Sequence, residues 1–161
     1  MWRYSGLRDQ KMSDVFTKAK RSDVMARIRY RGNRRTEGAL VEILRAHHIT
    51  GWSRHQAVFG RPDFVFANAR LAVFVDGCFW HGCRRHSSYP KSNAAFWRKK
   101  LDGNVVRDRI VGRELRKAGW RVVRIWEHDL PKRGEYWAMR IKRVLQESEM
   151  MARAPRSRIE V

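Results

Sequence analysis

The chain has 161 residues, of which 43% are hydrophobic, so it is long and apolar enough to bury a core of its own. It carries 36 Lys and Arg against 16 Asp and Glu, and this formal net charge of +20 favours a polyanionic partner. One alternative is that the basic surface only makes the protein soluble. The other is that the charge binds acidic membranes. The sequence has no run apolar enough to span a bilayer, no secretory signal and only two cysteines, so we expect a cytoplasmic protein.

The first part of the chain is strongly basic. We interpret residues 1–12 as a tag remnant or disordered leader and residues 13–148 as one domain, which opens with a basic region at 13–35. Apolar residues at Val24, Met25 and Ile28 favour a helix that begins at Ser22. We predict a disordered basic tail at 149–161. The basic side chains of 13–35 are Lys18, Lys20, Arg21, Arg27, Arg29, Arg31, Arg34 and Arg35.

Helices and strands then alternate along the chain. Thr36 is suited to cap a helix over 37–47, whose apolar stripe contains Leu40, Ile43 and Leu44. Strands are predicted at 52–58, 64–66, 71–75 and 121–126, with a tight turn at 67–70. The strand at 71–75 is almost entirely apolar, so we expect it to be central in the sheet and covered on both faces. Further helices are predicted at 93–118, closed by Gly119, and at 136–146. The order α-β-β-β-α-β-α predicts an α/β fold in which a mixed sheet has helices on both faces.

Two carboxylates are expected to meet at one edge of this sheet. Asp63 begins the strand 64–66 and Asp76 ends the strand 71–75, so in a hairpin they lie about 5 Å apart. That spacing suits a Mg²⁺ ion used in phosphodiester chemistry, and His81 could act there as general base or acid. The alternative is that Asp63 is a turn residue after Pro62 and that Asp76 only caps its strand.

The cysteines have the spacing of a metal site. Cys78, Cys83 and His86 could bind one tetrahedral zinc ion, and we predict His128 as the fourth ligand because it follows a neighbouring strand. The alternative for His128 is a surface loop residue. A closed site of this kind would be structural and would leave His81 free.

Aromatic residues stand between these ligands. Phe79 and Trp80 lie on a short loop that offers little core, and Trp97 lies on the following helix. We therefore predict that they insert between stacked bases of DNA, and packing in the core is the alternative.

Several motifs in this order resemble the very short patch repair (Vsr) endonuclease family. The resemblance extends from about residue 12 to about residue 145. It is carried by KRSDVMARIR (20–29), TE (36–37), GRPDF (60–64), FVDGCFWHGC (74–83), FW (96–97), NVVRDR (104–109) and GWRVVRIWE (119–127). It implies a restriction-endonuclease-like fold of the PD-(D/E)xK type, with a Mg²⁺-dependent nick made 5′ to the thymine of a T:G mismatch. It also implies double-stranded, mismatched DNA as the partner, at the nucleoid, and we expect a monomer that does not bind membranes.

The resemblance assigns roles residue by residue. Asp63 matches the metal-binding aspartate, Val75 a backbone carbonyl that assists that metal, His81 a catalytic histidine and Glu37 an acidic residue near the site. Supporting polar positions match Asn104 and Asp108, and Cys78, Cys83 and His128 fall on zinc-ligand positions. The side chains that we expect to bind DNA are Phe79, Trp80, Trp97, Asn104, Lys20, Arg21 and Arg27.

The chain departs from the family pattern at three places. Asp76 stands where the family has a second catalytic histidine, which favours ordinary metal binding by two acids. Arg85 takes a zinc-ligand position, so His86 must serve instead. The lysine of PD-(D/E)xK is absent, and Arg84 and Arg85 are candidates to supply its charge.

Three functions are consistent with these patterns. The first is a mismatch-directed DNA nicking enzyme. The second is a related DNA nuclease with another trigger, such as a different mismatch, a modified base or a specific sequence. The third is a zinc-stabilised DNA-binding module without catalysis.

Overall fold

The computed structural model describes residues 34–86 and 90–153. The predicted leader, the predicted helix from Ser22 and the predicted DNA-binding residues Lys20, Arg21 and Arg27 lie outside the described residues. In the described part of the chain, none of the helices is long and apolar enough to cross a membrane.

The predicted first helix is present, but its first turn is not α-helical. A π-helical turn at Arg34–Gly38 leads into helix α1, Ala39–Ala46. The N-cap position of α1 is Gly38, and Thr36 lies inside the π-helical turn, so Thr36 does not stand at the start of the helix as predicted. Leu40 and Leu44, which lie one turn apart, are fully buried, as the apolar stripe predicts.

Four strands form one mixed sheet in the order β1-β2-β3-β4. Their bounds are Ser53–Arg54 for β1, Phe64–Phe66 for β2, Leu71–Asp76 for β3 and Arg121–Trp126 for β4. The first two pairings are antiparallel and β3 runs parallel to β4. The predicted strand at 52–58 is therefore wrong for most of its length. The chain leaves the extended conformation at His55, whose φ of 57° lies in the left-handed region.

The central strand β3 is buried on both faces, as its apolar sequence predicted. Its residues alternate between two cores: Leu71, Val73 and Val75 pack on the side of α1, and Ala72 and Phe74 pack on the other. This alternation places helices on both faces of the sheet.

The two long helices complete these layers. Helix α2, Ala94–Lys117, packs on the Phe74 side, and helix α3, Leu130–Arg153, packs beside α1. Gly119 follows α2 with a φ of 78°, as expected of a residue that ends a helix. Helix α3 begins six residues earlier than 136 and continues to Arg153, with a departure from helical backbone at Arg133. The predicted disordered tail is thus wrong up to Arg153, and residues 154–161 lie outside the described residues.

Candidate active site and metal cluster

The antiparallel pairing of β2 with β3 brings Asp63 next to the end of β3. Asp63 precedes β2, and its Oδ2 accepts a hydrogen bond of 2.7 Å from the backbone N–H of Val75. Burial raises the pKa of Asp63 to about 6; the Val75 hydrogen bond and His81 oppose this rise, whereas the carboxylates of Glu37 and Asp76 add to it. A cation beside Asp63 would relieve this accumulation of negative charge.

Glu37 is one of those neighbouring acids and is almost fully buried. Its carboxylate accepts a hydrogen bond from the Arg54 guanidinium and lies 3.8 Å from Nε2 of His55. The π-helical turn and strand β1 therefore hold Glu37 close enough to affect the charge of Asp63.

Asp76 is held by an arginine that the sequence-based reasoning did not assign to the site. Nε of Arg124 donates a hydrogen bond to Oδ2 of Asp76, and Nη2 donates one to Oδ1, both at 2.6 Å. Arg124 lies opposite Phe74 in the parallel pairing, and its guanidinium stacks on the Phe74 ring at 4.8 Å. Burial lowers the pKa of Arg124, but the Asp76 carboxylate more than offsets this and raises it.

This pairing bears on the predicted metal site. The structure brings Asp63 and Asp76 to the same end of the β2–β3 pair, as expected, but both oxygens of Asp76 are engaged by Arg124. Each oxygen of an ionised carboxylate can accept more than one partner, so a metal ion on Asp76 would share the carboxylate with Arg124. A signal for the pair was present in the sequence, because Arg124 interrupts the apolar strand RVVRIW.

His81 is oriented by a carboxylate from helix α2. Its Nδ1 lies 2.6 Å from Oδ2 of Asp108 and 3.7 Å from Oδ1 of Asp76. Burial raises the pKa of Asp108, but the hydrogen bond with His81 and the charge of Arg124 outweigh burial and lower it. An ionised Asp108 accepts a hydrogen bond from Nδ1–H, which leaves Nε2 of His81 as the nitrogen able to exchange a proton.

The four predicted zinc ligands meet in space. The ligand atoms of Cys78, Cys83, His86 and His128 all lie within 4.8 Å of one another, so the cluster could hold a metal ion. In a tetrahedral zinc site a sulfur and a nitrogen ligand lie roughly 3.5 Å apart. The distances from Cys78 Sγ to His86 Nδ1 and from Cys83 Sγ to the two histidines are 3.6–3.7 Å, and Cys78 Sγ lies 3.0 Å from His128 Nδ1.

Two further interactions concern this cluster. The backbone N–H of Cys78 donates a 2.8 Å hydrogen bond to Glu127, which fixes the loop against the end of β4. Burial and the neighbouring Cys83 thiol raise the pKa of Cys78 to about 12. Without a cation the Cys78 thiol thus stays protonated at neutral pH, and a metal ion would supply the positive charge that stabilises a thiolate.

The predicted aromatic residues form one cluster beside His81. Ring centroids of Phe79 and Trp80 lie 4.9 Å apart, and Trp97 lies 5.6 Å from Phe79 and 6.1 Å from Trp80. All three are partly exposed and lie outside the two buried cores. Asn104 donates a 3.1 Å hydrogen bond to the backbone oxygen of Trp80, so in this structure it holds the aromatic loop against α2.

Comparisons with known proteins find relatives of this chain. The family model of the DNA mismatch endonuclease Vsr matches residues 13–87. The chain is 37% identical over 120 residues to the DNA mismatch endonuclease Vsr of Escherichia coli (strain K12). This match covers 72% of this chain and 74% of that protein. It is 34% identical over 139 residues to the type II nicking enzyme V.XorIIP of Xanthomonas oryzae pv. oryzae, which covers 85% of this chain and all of that protein.

A third match is more local. The chain is 52% identical over 69 residues to the type II nicking enzyme V.NaeI of Lentzea aerocolonigenes. This match covers 43% of this chain and only 42% of that protein.

The fold and site define an α/β protein with an acidic cluster, an oriented histidine and a Cys/His cluster at one end of the sheet. The chain belongs to the DNA mismatch endonuclease Vsr family. The predicted family and the predicted class of enzyme, a DNA endonuclease, are thereby confirmed.

Proposed function

We propose that this chain nicks one strand of duplex DNA on the 5′ side of the thymine of a T:G mismatch, by Mg²⁺-dependent hydrolysis. The observation that carries the proposal is the placement of an acidic cluster around Asp63 beside a histidine, His81, that is oriented by Asp108. We also propose that the fold is restriction-endonuclease-like and that the protein acts as a monomer. Because its substrate is DNA, we expect it in the cytoplasm, bound to the nucleoid.

Asp63 and the backbone carbonyl of Val75 would hold the magnesium ion. The pKa of Asp63 is raised by burial and by two other carboxylates, those of Glu37 and Asp76, and this supports a cation at this position. Asp76 would join them as a ligand that it shares with Arg124, and the nearby carboxylate of Glu37 would add negative charge to the site. Bound Mg²⁺ would bind a phosphate oxygen and stabilise the charge that develops during hydrolysis.

His81 would handle the proton of the reaction. Asp108 holds its Nδ1, so Nε2 is available to accept a proton from the attacking water or to donate one to the leaving oxygen. The pairing with Asp108 also keeps the ring in one orientation, which a general base or acid requires.

The remaining features would bind and deform the DNA. Phe79, Trp80 and Trp97 form a wedge of aromatic rings that could enter the base stack at the mismatch. A zinc ion bound by Cys78, Cys83, His86 and His128 would brace the loop that presents this wedge. Lys20, Arg21, Arg27 and the rest of the basic region would contact phosphates.

A nicking assay on a T:G duplex with Mg²⁺ tests the proposal, with Asp63→Ala compared with wild type. We expect wild type alone to nick the T:G duplex and to spare the matched T:A duplex. Equal nicking of both duplexes would favour a nuclease with another trigger. That function is consistent with the relatives that are named type II nicking enzymes. Tight binding without nicking would favour a DNA-binding module.

A further inference from the structure

Beside the proposed active site lies a cavity of about 360 Å³ between helix α2 and strand β4. This volume is at the lower end of the range for small-molecule sites, and it leaves room for a phosphate group with part of its sugar. His81 and Asp76 lie on one wall, which joins the cavity to the site described above. The other charged residues that line it are Asp108, Arg109, Arg116 and Arg124.

The charges of this cavity favour an anion. Its two carboxylates are both engaged, Asp76 by Arg124 and Asp108 by His81. Within the residues that the structure describes, Arg109 and Arg116 form no ion pair, and Nη1 of Arg124 is buried without a hydrogen-bond partner. Arg109 and Arg116 therefore carry two positive charges that pair with neither carboxylate of the cavity, and their donors are available to a ligand.

A glycine makes room for one of these guanidinium groups. Gly112 lies buried inside helix α2, where glycine is a poor helix former. A Cβ at this position would meet only the guanidinium of Arg116, at 3.2 Å from Nη1 and 3.9 Å from Cζ. The absence of a side chain at Gly112 thus lets Arg116 lie along the helix on the wall of the cavity.

We propose that this cavity binds a phosphate of the nicked strand next to the cleaved phosphate, with Arg109 and Arg116 as its main donors and Arg124 Nη1 as a third. This inference rests on the proposed function, because it assumes that the ligand is DNA and that the cleaved phosphate lies beside His81. Asp76 stands where the family has a histidine. In this chain its carboxylate holds Arg124 in the wall of the phosphate site.

Binding measured without cleavage tests the cavity. In EDTA, the affinity of wild type and Arg116→Gln for a T:G duplex is measured over a range of salt concentrations. We expect Arg116→Gln to reduce the slope of log K against log salt by about one. The matched control is Arg113→Gln, which removes an exposed arginine of the same helix that pairs with Glu114 and does not line the cavity; its slope should match wild type.

Neutral methylphosphonate linkages, placed one at a time along the nicked strand, then locate the contact. At the position next to the cleaved phosphate, the modification should weaken the Arg116→Gln variant clearly less than it weakens wild type, because the variant has already lost one of the three donors to that phosphate. Gly112→Leu, which keeps every charge but places a side chain against the Arg116 guanidinium, should show the same reduced sensitivity at this position. If the methylphosphonate and Arg116→Gln weaken binding by factors that simply multiply at every position, the proposal is wrong. It is also wrong if Arg113→Gln changes the salt slope as much as Arg116→Gln does.

The nicking assay separates this inference from the proposed function. If wild type nicks the T:G duplex but Arg116→Gln shows no position-specific loss, the cavity assignment is wrong and the function stands. If wild type does not nick, the function is wrong, and the binding data still decide whether the cavity holds a phosphate.

Discussion

Arg124 binds both carboxylate oxygens of Asp76, each at 2.6 Å, between two neighbouring parallel strands. Asp76 is almost fully buried and Arg124 is about three-quarters buried, so water can replace little of this interaction. The pair also places a carboxylate 3.7 Å from His81. It therefore connects the stability of the sheet to the geometry of the proposed active site.

Removal of Arg124 should destabilise the protein. Arg124→Leu leaves a buried carboxylate without its partner, and we expect the free energy of unfolding to fall by about 3 kcal/mol. Urea denaturation measures this change. In the background of Asp76→Asn the same substitution should cost much less, and equal costs in both backgrounds would show that the pair is not coupled. Arg113→Leu, on an exposed face, should change stability by no more than about 0.5 kcal/mol.

Magnesium binding should weaken in acid because of Asp63. Its pKa is about 6, so the carboxyl is neutral below that pH and ionised above it, and only the ionised form is a good ligand. Affinity for Mg²⁺, measured by calorimetry, should therefore rise through pH 5 to 7 by about tenfold per pH unit at the acid end and then level off. Asp63→Asn should abolish this rise, whereas Glu149→Gln on the exposed end of α3 should leave it unchanged. An affinity independent of pH between 5 and 7 would argue against Asp63 as the ligand.

The His81–Asp108 pair should control the rate of nicking. We expect His81→Ala to lower the single-turnover rate by about 10²–10⁴-fold, because it removes the proposed general acid or base. Asp108→Asn should lower the rate less and should also change its pH profile, since the amide can hold the wrong tautomer of His81. Neither variant should weaken binding of the duplex, because both keep the arginines that line the cavity. His48→Ala, at an exposed position, is the control, and an undiminished rate in His81→Ala would exclude the proposed role.

The Cys/His cluster should bind one metal ion per chain. Protein purified with zinc present should contain about one zinc ion, and Cys83→Ser should lose most of it and unfold at a lower temperature. His47→Ala lies outside the cluster and should keep its metal. Elemental analysis and thermal melting measure both effects; wild-type protein that contains no bound zinc would contradict the assignment.

The aromatic cluster should contribute to recognition of a distorted duplex. Trp80→Ala should weaken binding to a T:G duplex more than binding to the matched T:A duplex, because base unstacking at a mismatch costs less. Fluorescence anisotropy with both duplexes measures the ratio. Phe59→Ala removes an exposed aromatic ring that is not part of this cluster and serves as the control. A ratio unchanged by Trp80→Ala would show that the rings do not sense the mismatch.

Local patterns in the sequence determined the order of the elements, the central position of β3 and the residues that could hold metals. Apolar periodicity predicted β3 and helix α1, and the types and spacing of Cys78, Cys83, His86 and His128 indicated a metal cluster that the tertiary structure brings together within 4.8 Å. These signals depend on residues that are close in sequence, or on ligand chemistry that few residues possess. The first strand was predicted too long, at 52–58 instead of Ser53–Arg54, because the left-handed backbone at His55 leaves no signature in apolar periodicity.

Only the tertiary structure decided the partners of the charged residues. Asp76 and Arg124 are 48 residues apart, and their pairing depends on β4 lying parallel to β3 in the register that aligns Phe74 with Arg124. The same register, together with the packing of α2, sets Asp108 against His81 and creates the cavity lined by Arg116. A carboxylate can pair with any of the 36 basic side chains in this chain, so the residue type alone does not select one. Strand register does, because it fixes which side chains share a face at hydrogen-bonding distance.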